Sequence, residues 1–280
     1  MILIKSLGEL QSLIQNQKNL HNKIGFVPTM GALHDGHISL VKDSVEQNDF
    51  TIVSIFVNPT QFNNKEDLKK YPRTEEADIE ILKNSGCDAI FFPKVEDIYP
   101  EGEKSEIFSF DGIEHQMEGK FRPGHFDGVA TVVNRFFEII EPDKAYFGEK
   151  DFQQLRIIQE LVKKLNLNVQ IVPVSIMREN DGLAMSSRNM RLTKEMRKES
   201  PKIYQILSEA KEFLKLNSIA ETKNFVQEKF NQTKLELEYF EIAEEKTLAP
   251  ASEKENHKNL RGFIAVFAGE IRLIDNISLN

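Results

Sequence analysis

Cysteine occurs once in the 280 residues, at Cys87. A single thiol excludes an internal disulfide and any metal site built on several cysteines, and in its apolar setting it reads as a small buried hydrophobe. No apolar run reaches the ~18 residues that a membrane-crossing helix needs. The opening residues Met1-Ile2-Leu3-Ile4-Lys5 lack the basic-then-apolar layout of a signal peptide. Together these absences lead us to expect a cytoplasmic protein with no membrane partner. Positive charge is in deficit too: 36 Lys and Arg against 44 Asp and Glu leave a net charge of −8. That balance argues against a nucleic-acid partner while leaving room for a locally basic pocket. Two common phosphate cradles are missing, the Gly-x-Gly-x-x-Gly fingerprint and the Gly-x4-Gly-Lys-Ser/Thr P-loop. Neither an internal repeat nor a low-complexity stretch is present. What remains, 40% apolar with 20 phenylalanines, suffices for a large core, and the length suits two domains.

Short apolar segments alternate with helical patterns through the first 175 residues. Strands are expected at Ile24–Val27, Thr51–Val57, Ala89–Phe92, Ala145–Phe147 and Val169–Val174. Between them Val129, Val132, Val133, Phe136, Phe137 and Ile140 keep 3.6-residue spacing, as do Leu155, Ile158, Leu161, Val162 and Leu165. Such alternation predicts an α/β fold, a Rossmann-like parallel sheet covered by helices, with ligands at the carboxyl ends of its strands. After about Val174 the pattern changes to Lys- and Glu-rich helices and then strands at Leu237–Ala243, Gly262–Phe267 and Arg272–Asn276. We therefore expect an N-terminal domain over 1–176 and a smaller α+β domain over 177–280. The mixed-charge stretch Glu244 to Lys258 reads as solvated.

The polar motifs cluster just past the expected strand ends. Pro28-Thr29-Met30-Gly31-Ala32-Leu33-His34-Asp35-Gly36-His37 carries a strand into a helix whose first turn is His-x-Gly-His. Glycine lets backbone approach a phosphate, the helix start offers unpaired N–H groups, and imidazoles can donate to phosphate oxygens. This arrangement is the nucleotide-binding signature of adenylyl-transferring enzymes, although alone it also fits two surface histidines. A zinc site is a weaker alternative, since no further ligands are suitably spaced. Val57-Asn58-Pro59-Thr60-Gln61-Phe62 offers amides for a small polar ligand, or a plain turn. In Tyr146-Phe147-Gly148-Glu149-Lys150-Asp151-Phe152-Gln153-Gln154, Asp151 suits an N-cap, whereas Lys150 suits a phosphate. Asp181-Gly182-Leu183-Ala184-Met185-Ser186-Ser187-Arg188-Asn189 can close on a polyphosphate or simply link domains. Arg122-Pro123-Gly124-His125-Phe126-Asp127-Gly128 is equally a lid or a structured loop.

Taken in order, these strings resemble the pantothenate synthetase (pantoate–β-alanine ligase) family, part of the His-x-Gly-His nucleotidylyltransferase-like superfamily. The resemblance rests on PTMGALHDGH, VNPTQF, YPRT, RPGHFDGV, FGEKDFQQ and DGLAMSSRN, and continues to Arg272-Leu273-Ile274-Asp275-Asn276. It implies an ATP-dependent ligase that makes pantothenate through a pantoyl adenylate, with magnesium on ATP, and a homodimer. It further implies that Met30 to His37 contact ATP, with His34 and His37 on the phosphates and His37 as proton donor. Gln61 is expected on pantoate and β-alanine, Gln154 on pantoate, and Asn58 assisting. Gly148, Glu149, Lys150 and Asp151 would line the nucleotide site, with Lys150 on the phosphates. Met185, Ser186, Ser187 and Arg188 would form a second phosphate loop, and Met177 would lie near the adenine in place of the family's small branched residue. Asp78 would be either a magnesium contact or an exposed helix carboxylate. Asn63-Asn64 stands where glycine is commoner, in a turn that a left-handed asparagine can make. Two rival readings stand beside this one. A nucleotidylyltransferase would stop at the adenylyl product, and a catalytically silent nucleotide-binding module would have no need of His34, His37, Lys150 and Arg188 together.

Overall fold

The computed structural model describes residues 1–102, 104–254 and 259–280. Two compact units emerge. The first comprises Met1–Glu114, Arg122–Glu149 and Gln154–Ser175; the second comprises His115–Phe121, Lys150–Gln153 and Ile176–Asn280.

Six parallel strands form the first unit: β1 (Ile2–Ile4), β2 (Ile24–Thr29), β3 (Phe50–Ile55), β4 (Ala89–Phe91), β5 (Lys144–Gly148) and β6 (Gln170–Val174). Their order is β1-β4-β3-β2-β5-β6. From β2 the chain moves outward to β3 and β4, then returns to place β5 on the other side of β2. The order therefore reverses between β2 and β5, where parallel sheets open a ligand crevice. Register sharpens this point. β2 pairs with β3 over all six residues but with β5 only at Gly25 and Phe26. Beyond Phe26 the two strands are no longer paired, so Pro28, which has no N–H to give, removes no ladder bond on the β5 side. The short edge strand β1 was not expected. Its Ile2 and Leu3 are exposed, so it lacks the buried run that marks the other strands.

Aromatic packing fills one face of the sheet. Helix His125–Ile140 buries all six of its periodic residues, and Phe136 packs its ring against Phe26 at 5.4 Å and Phe56 at 6.2 Å. On the other face Leu40 and Val41 of helix Asp35–Gln47 join Val27, Val53, Ile90 and Tyr146. Leu165, just past helix Phe152–Lys164, is exposed despite fitting the pattern. Gly25 allows the Asp35–Gln47 helix to sit close: a Cβ there would lie 2.2 Å from Ser44 Oγ and 2.5 Å from Asn48 Nδ2. Both side chains are already committed, Ser44 Oγ to Thr51 Oγ1 (2.9 Å) and Asn48 Nδ2 to Tyr146 OH (2.8 Å).

The second unit carries an antiparallel sheet of β7 (Glu236–Glu244), β8 (Leu260–Ala268) and β9 (Ile271–Ser278), in that order. Ile203, Ile206, Leu207 and Ala210 of helix Lys202–Leu216, with Val226 and Phe230 of helix Ile219–Phe230, form its core with Ile242, Ile264 and Val266. Ser218 caps the latter helix by accepting from Glu221 N, while Glu221 accepts from Ser218 N. The stretch read as solvated from Glu244 to Lys258 is partly packed: Leu248 and Ala251 are buried, and Ala251 N–H donates to Ile242 O. Its residues 255–258 lie outside the described residues. Among the described residues no helix is long and apolar enough to cross a membrane.

Replacing Gly25 with alanine should break the Ser44–Asn48 cluster and lower the unfolding free energy by about 1–3 kcal/mol, read as a shift of the denaturant midpoint. An unchanged midpoint would mean that the helix is free to move away.

Candidate active site

At the carboxyl end of β2 the chain turns into helix Asp35–Gln47 through two successive left-handed residues, Gly31 (φ +78°) and Ala32 (φ +51°). Alanine is unfavourable in that conformation and needs outside support. Asp78 supplies it. One carboxylate oxygen accepts from Ala32 N (3.0 Å), the other from Leu33 N (2.8 Å) and Thr74 Oγ1 (3.2 Å). Asp78 is 1% exposed. It is therefore not the exposed helix carboxylate expected from sequence: both of its oxygens accept hydrogen bonds from the chain around it. Gly31 completes the fit, because a Cβ there would lie 3.0 Å from Asp78 Oδ2 and 3.2 Å from Ile55 Cγ2. Thr29 Oγ1 donates to Ser54 O (2.7 Å) and accepts from Gly31 N (3.3 Å).

The stapled loop delivers His34 as the extended N-cap of the helix, with Asp35 and Gly36 opening its first turn. His34 and His37 are half-buried, with ring centroids 4.1 Å apart. The backbone N–H of His34 donates to His37 Nδ1 at 3.3 Å. An Nδ1 that accepts carries no proton, so the hydrogen of a neutral ring sits on Nε2. This geometry gives one oriented imidazole donor beside the first-turn amides and the positive end of the helix dipole.

Gln61, 9% exposed at the end of the short 3-10 turn Pro59–Gln61, is the most heavily supported of the expected residues. Its backbone carbonyl accepts from Arg122 Nη2 (3.2 Å) and from buried His125 Nδ1 (2.9 Å). The Arg122–Gly128 segment is thus a structured support. Gly128 lies so close beneath the turn that a Cβ would sit 2.7 Å from Thr60 O. Asn58, expected on the substrate, is 1% exposed and fully engaged within the protein. Its amide donates to Gln61 Oε1 (3.0 Å) and Gly128 O (3.1 Å), and its oxygen accepts from Thr60 Oγ1 (3.1 Å) and Tyr99 OH (2.5 Å). Asn58 thus holds Gln61. Met30, half-buried, brings its thioether to 3.1 Å from Gln61 Nε2. Asn64 is extended (φ −104°) and N-caps helix Lys65–Lys70 by accepting from Glu66 N. Asn63 donates to Pro123 O. Neither asparagine needs the left-handed turn considered from sequence. Elsewhere in this unit, Gly148 ends β5, where a Cβ would meet nothing within 4 Å. Glu149 follows it, and Gln154 is half-buried in the first turn of its helix.

The second unit holds the remaining expected residues. Lys150 is only 20% exposed, with Nζ 3.6 Å from Asp151 Oδ2, and its backbone carbonyl accepts from Asn276 Nδ2 at 3.0 Å. Asp275 binds Arg178 with both oxygens, at 2.6 and 2.9 Å. Burial pushes the Asp275 carboxyl up, with Arg178 acting in the opposite sense. Arg178 also stacks on Tyr204 at 3.6 Å and donates to Gly182 O. From Arg178 the chain doubles back: Arg178 bridges Ala184, and Met185 N–H donates to Met177 O at 3.0 Å. Gly182 (φ +91°) makes the turn of this hairpin against Tyr204. Ser186 caps the 3-10 turn Ser187–Arg191 by accepting from Arg188 N; Ser187 is buried and Arg188 half-buried. Met177 is exposed.

Sequence reading missed a buried charge cluster in this unit. Arg272 binds both oxygens of Glu118 (2.8 and 2.7 Å) and Glu238 (2.6 Å), while Tyr239 OH donates to Glu118 at 2.8 Å. Burial opposes charge on Arg272, yet Glu118 and then Glu238 hold its pKa above the ordinary value. Burial and then Glu118 push the Tyr239 phenol well up, so it stays a donor. Gln153 fixes the same segment, accepting from Glu118 N and donating to Gln116 O. No local motif marks partners some 120 to 150 residues apart.

A family model described as Pantoate-beta-alanine ligase matches residues 2–278. The chain is 55% identical over 272 residues to the pantothenate synthetase of Flavobacterium psychrophilum, covering 96% of this chain and 95% of that one. It is 48% identical over 278 residues to the pantothenate synthetase of Bacteroides thetaiotaomicron, covering 99% and 98%. Among solved structures it is similar to pantothenate synthetase from Thermus thermophilus, with TM-score 0.92, 40% identity and coverage of 100% and 99%. It is also similar to the pantoate-beta-alanine ligase of Francisella tularensis complexed with beta-gamma ATP and beta-alanine, with TM-score 0.82, 38% identity and coverage of 100% and 98%.

Asp78→Asn keeps the side-chain shape but turns an amide donor toward a backbone N–H. It should lower the unfolding free energy by about 1–3 kcal/mol, against less than about 0.5 kcal/mol for Glu76→Gln on the exposed face of the same helix. Equal midpoints for the two variants in metal-free buffer would overturn the staple.

Proposed function

The chain belongs to the pantoate-beta-alanine ligase family and is an enzyme that joins an acid to an amino acid; from that premise we infer that it makes pantothenate in two ATP-driven half-reactions. In the first, a pantoate carboxylate oxygen attacks the α-phosphorus of ATP and pyrophosphate leaves with the bridging oxygen, giving pantoyl adenylate. In the second, the β-alanine amine attacks the acyl carbon, loses a proton and expels AMP. The observation that carries this reading is the oriented helix start at the end of β2, beside the reversal of strand order. It offers first-turn amides and, in the neutral ring, a His37 Nε2–H donor.

Bringing a carboxylate to a polyphosphate sets anion against anion, so positioning and charge compensation dominate the rate. Met30 to His37 carry the nucleotide in this reading, with His34 and His37 donating to phosphate oxygens and His37 supplying the proton. Gly148, whose open Cβ space suits a close ligand, Glu149, Lys150 and Asp151 line the nucleotide. Lys150 and Arg188, with Ser186 and Ser187, compensate the leaving pyrophosphate; Met177 and Met185 flank the nucleotide. Gln61 and Gln154 hold the acid. Among the described residues no cluster of three acidic, histidine or cysteine side chains could hold a metal ion. In this reading magnesium arrives on ATP, held mainly by phosphate oxygens and water.

Pantoate-dependent exchange of labelled pyrophosphate into ATP, without β-alanine, tests the adenylate. We expect exchange, and AMP with pantothenate once β-alanine is added. Lys150→Ala should slow both by roughly 10²–10³-fold with the fold intact. Absence of exchange in an enzyme that still forms pantothenate would exclude a free-standing first half-reaction. Family resemblance also supports a cytoplasmic homodimer, and a light-scattering mass equal to one 32.2 kDa chain would overturn the dimer.

A further inference from the structure

The hydrogen bonds around Gln61 determine which end of its amide faces a ligand. The chain of reasoning starts from a group that cannot be reversed. Gly128 O is a backbone carbonyl and can only accept, so the Asn58 atom 3.1 Å from it must be the NH2 group. The Asn58 oxygen then points the other way, to Tyr99 OH (2.5 Å) and Thr60 Oγ1 (3.1 Å), both of which can donate. With its NH2 so placed, Asn58 has a second hydrogen directed at Gln61, 3.0 Å away, and the atom receiving it must be Oε1. Gln61 Nε2 consequently faces away from Asn58. One of its hydrogens is directed at the Met30 thioether, a weak acceptor, and the other is left for a ligand. Reversing Gln61 would oppose two NH2 groups, and reversing Asn58 would oppose two carbonyls, at the cost of buried unmade bonds.

We propose that Gln61 turns its NH2 end to the substrate, and that Asn58 and Tyr99 are positioning residues that fix this polarity from the Gly128 carbonyl. The proposal rests on the reading of this site as a pantoate and β-alanine site. Its chemical content is selective: the NH2 end of Gln61 recognises a hydroxyl or carboxylate oxygen and has no acceptor for an ammonium group. If β-alanine meets Gln61, it does so through its carboxylate, which leaves the amine free to react. Tyr99 lies on neither the nucleotide loop nor the Gln61 turn. It follows the short helix Val95–Ile98 after β4 and is buried against Phe56.

The test is the side-chain NH2 signal of Gln61 in enzyme labelled with 15N-glutamine, assigned by its disappearance in Gln61→Glu. Saturating pantoate should move that signal downfield in the wild-type protein, and the ammonium-bearing analogue ethylamine should leave it in place. In Tyr99→Phe the KM for pantoate should rise about fivefold to tenfold, with kcat and the KM for ATP within about twofold, a split that general loosening of the fold would not give. A Gln61 signal unmoved by pantoate in enzyme that turns pantoate over would overturn the proposal. So would a signal that moves with ethylamine. A soluble, folded wild-type enzyme that forms no pantothenate would instead overturn the functional reading beneath it. If Tyr99→Phe does not fold, the wild-type spectra decide alone.

Discussion

The carboxylate of Asp78 is the interaction on which the end of the first unit that carries the Gly31–His34 loop depends. A strand that must become a helix within five residues has few backbone routes, and this chain takes one with two left-handed residues in succession. Glycine adopts the first freely, but alanine at the second is unfavourable and persists only because two N–H groups meet a buried charge. Desolvating that carboxylate is itself costly, and the amides offset the cost. Everything downstream inherits this arrangement: the direction of the helix, the extended His34 cap, and the backbone N–H that selects the His37 tautomer.

A similar economy governs the second unit. Lys150 and the Met177–Arg188 hairpin are far apart in sequence, yet adjacent residues of β9 hold both, Asn276 through the Lys150 carbonyl and Asp275 through Arg178. Pairing Arg178 with Asp275 while stacking it on Tyr204 leaves the guanidinium little freedom. The hairpin is thereby fixed at its base, while Met177 at its margin remains exposed.

Much of this was legible in the sequence, and the failures have physical reasons. Strands buried on both faces read as apolar runs, and the helix around Phe136 kept its period, so the parallel sheet and the small antiparallel one were visible. The family motifs were visible as strings. Asp78 was misread because a carboxylate in a first helical turn looks solvated unless its backbone partners, 45 and 46 residues earlier, are known. The support that Asn58 gives Gln61 was not legible, because amides that bind ligands and amides that bind protein have the same sequence signature. Arg122 and His125 were undecided for lack of their target, which is a backbone carbonyl and carries no residue identity. Glu118 was invisible, since its partners come from β7 and β9.

The two units are not consecutive stretches of chain. The polypeptide passes from one to the other five times, after residues 114, 121, 149, 153 and 175. No single cut separates them. A gene fragment ending near residue 176 would carry Glu118 and Gln153 without Arg272 and Tyr239, and one beginning there would carry Arg272 with Glu238 but without Glu118. Exchanging one half of the chain for that of another protein would therefore part Glu118 from Arg272. The unit that recombination can hand on intact is the whole chain.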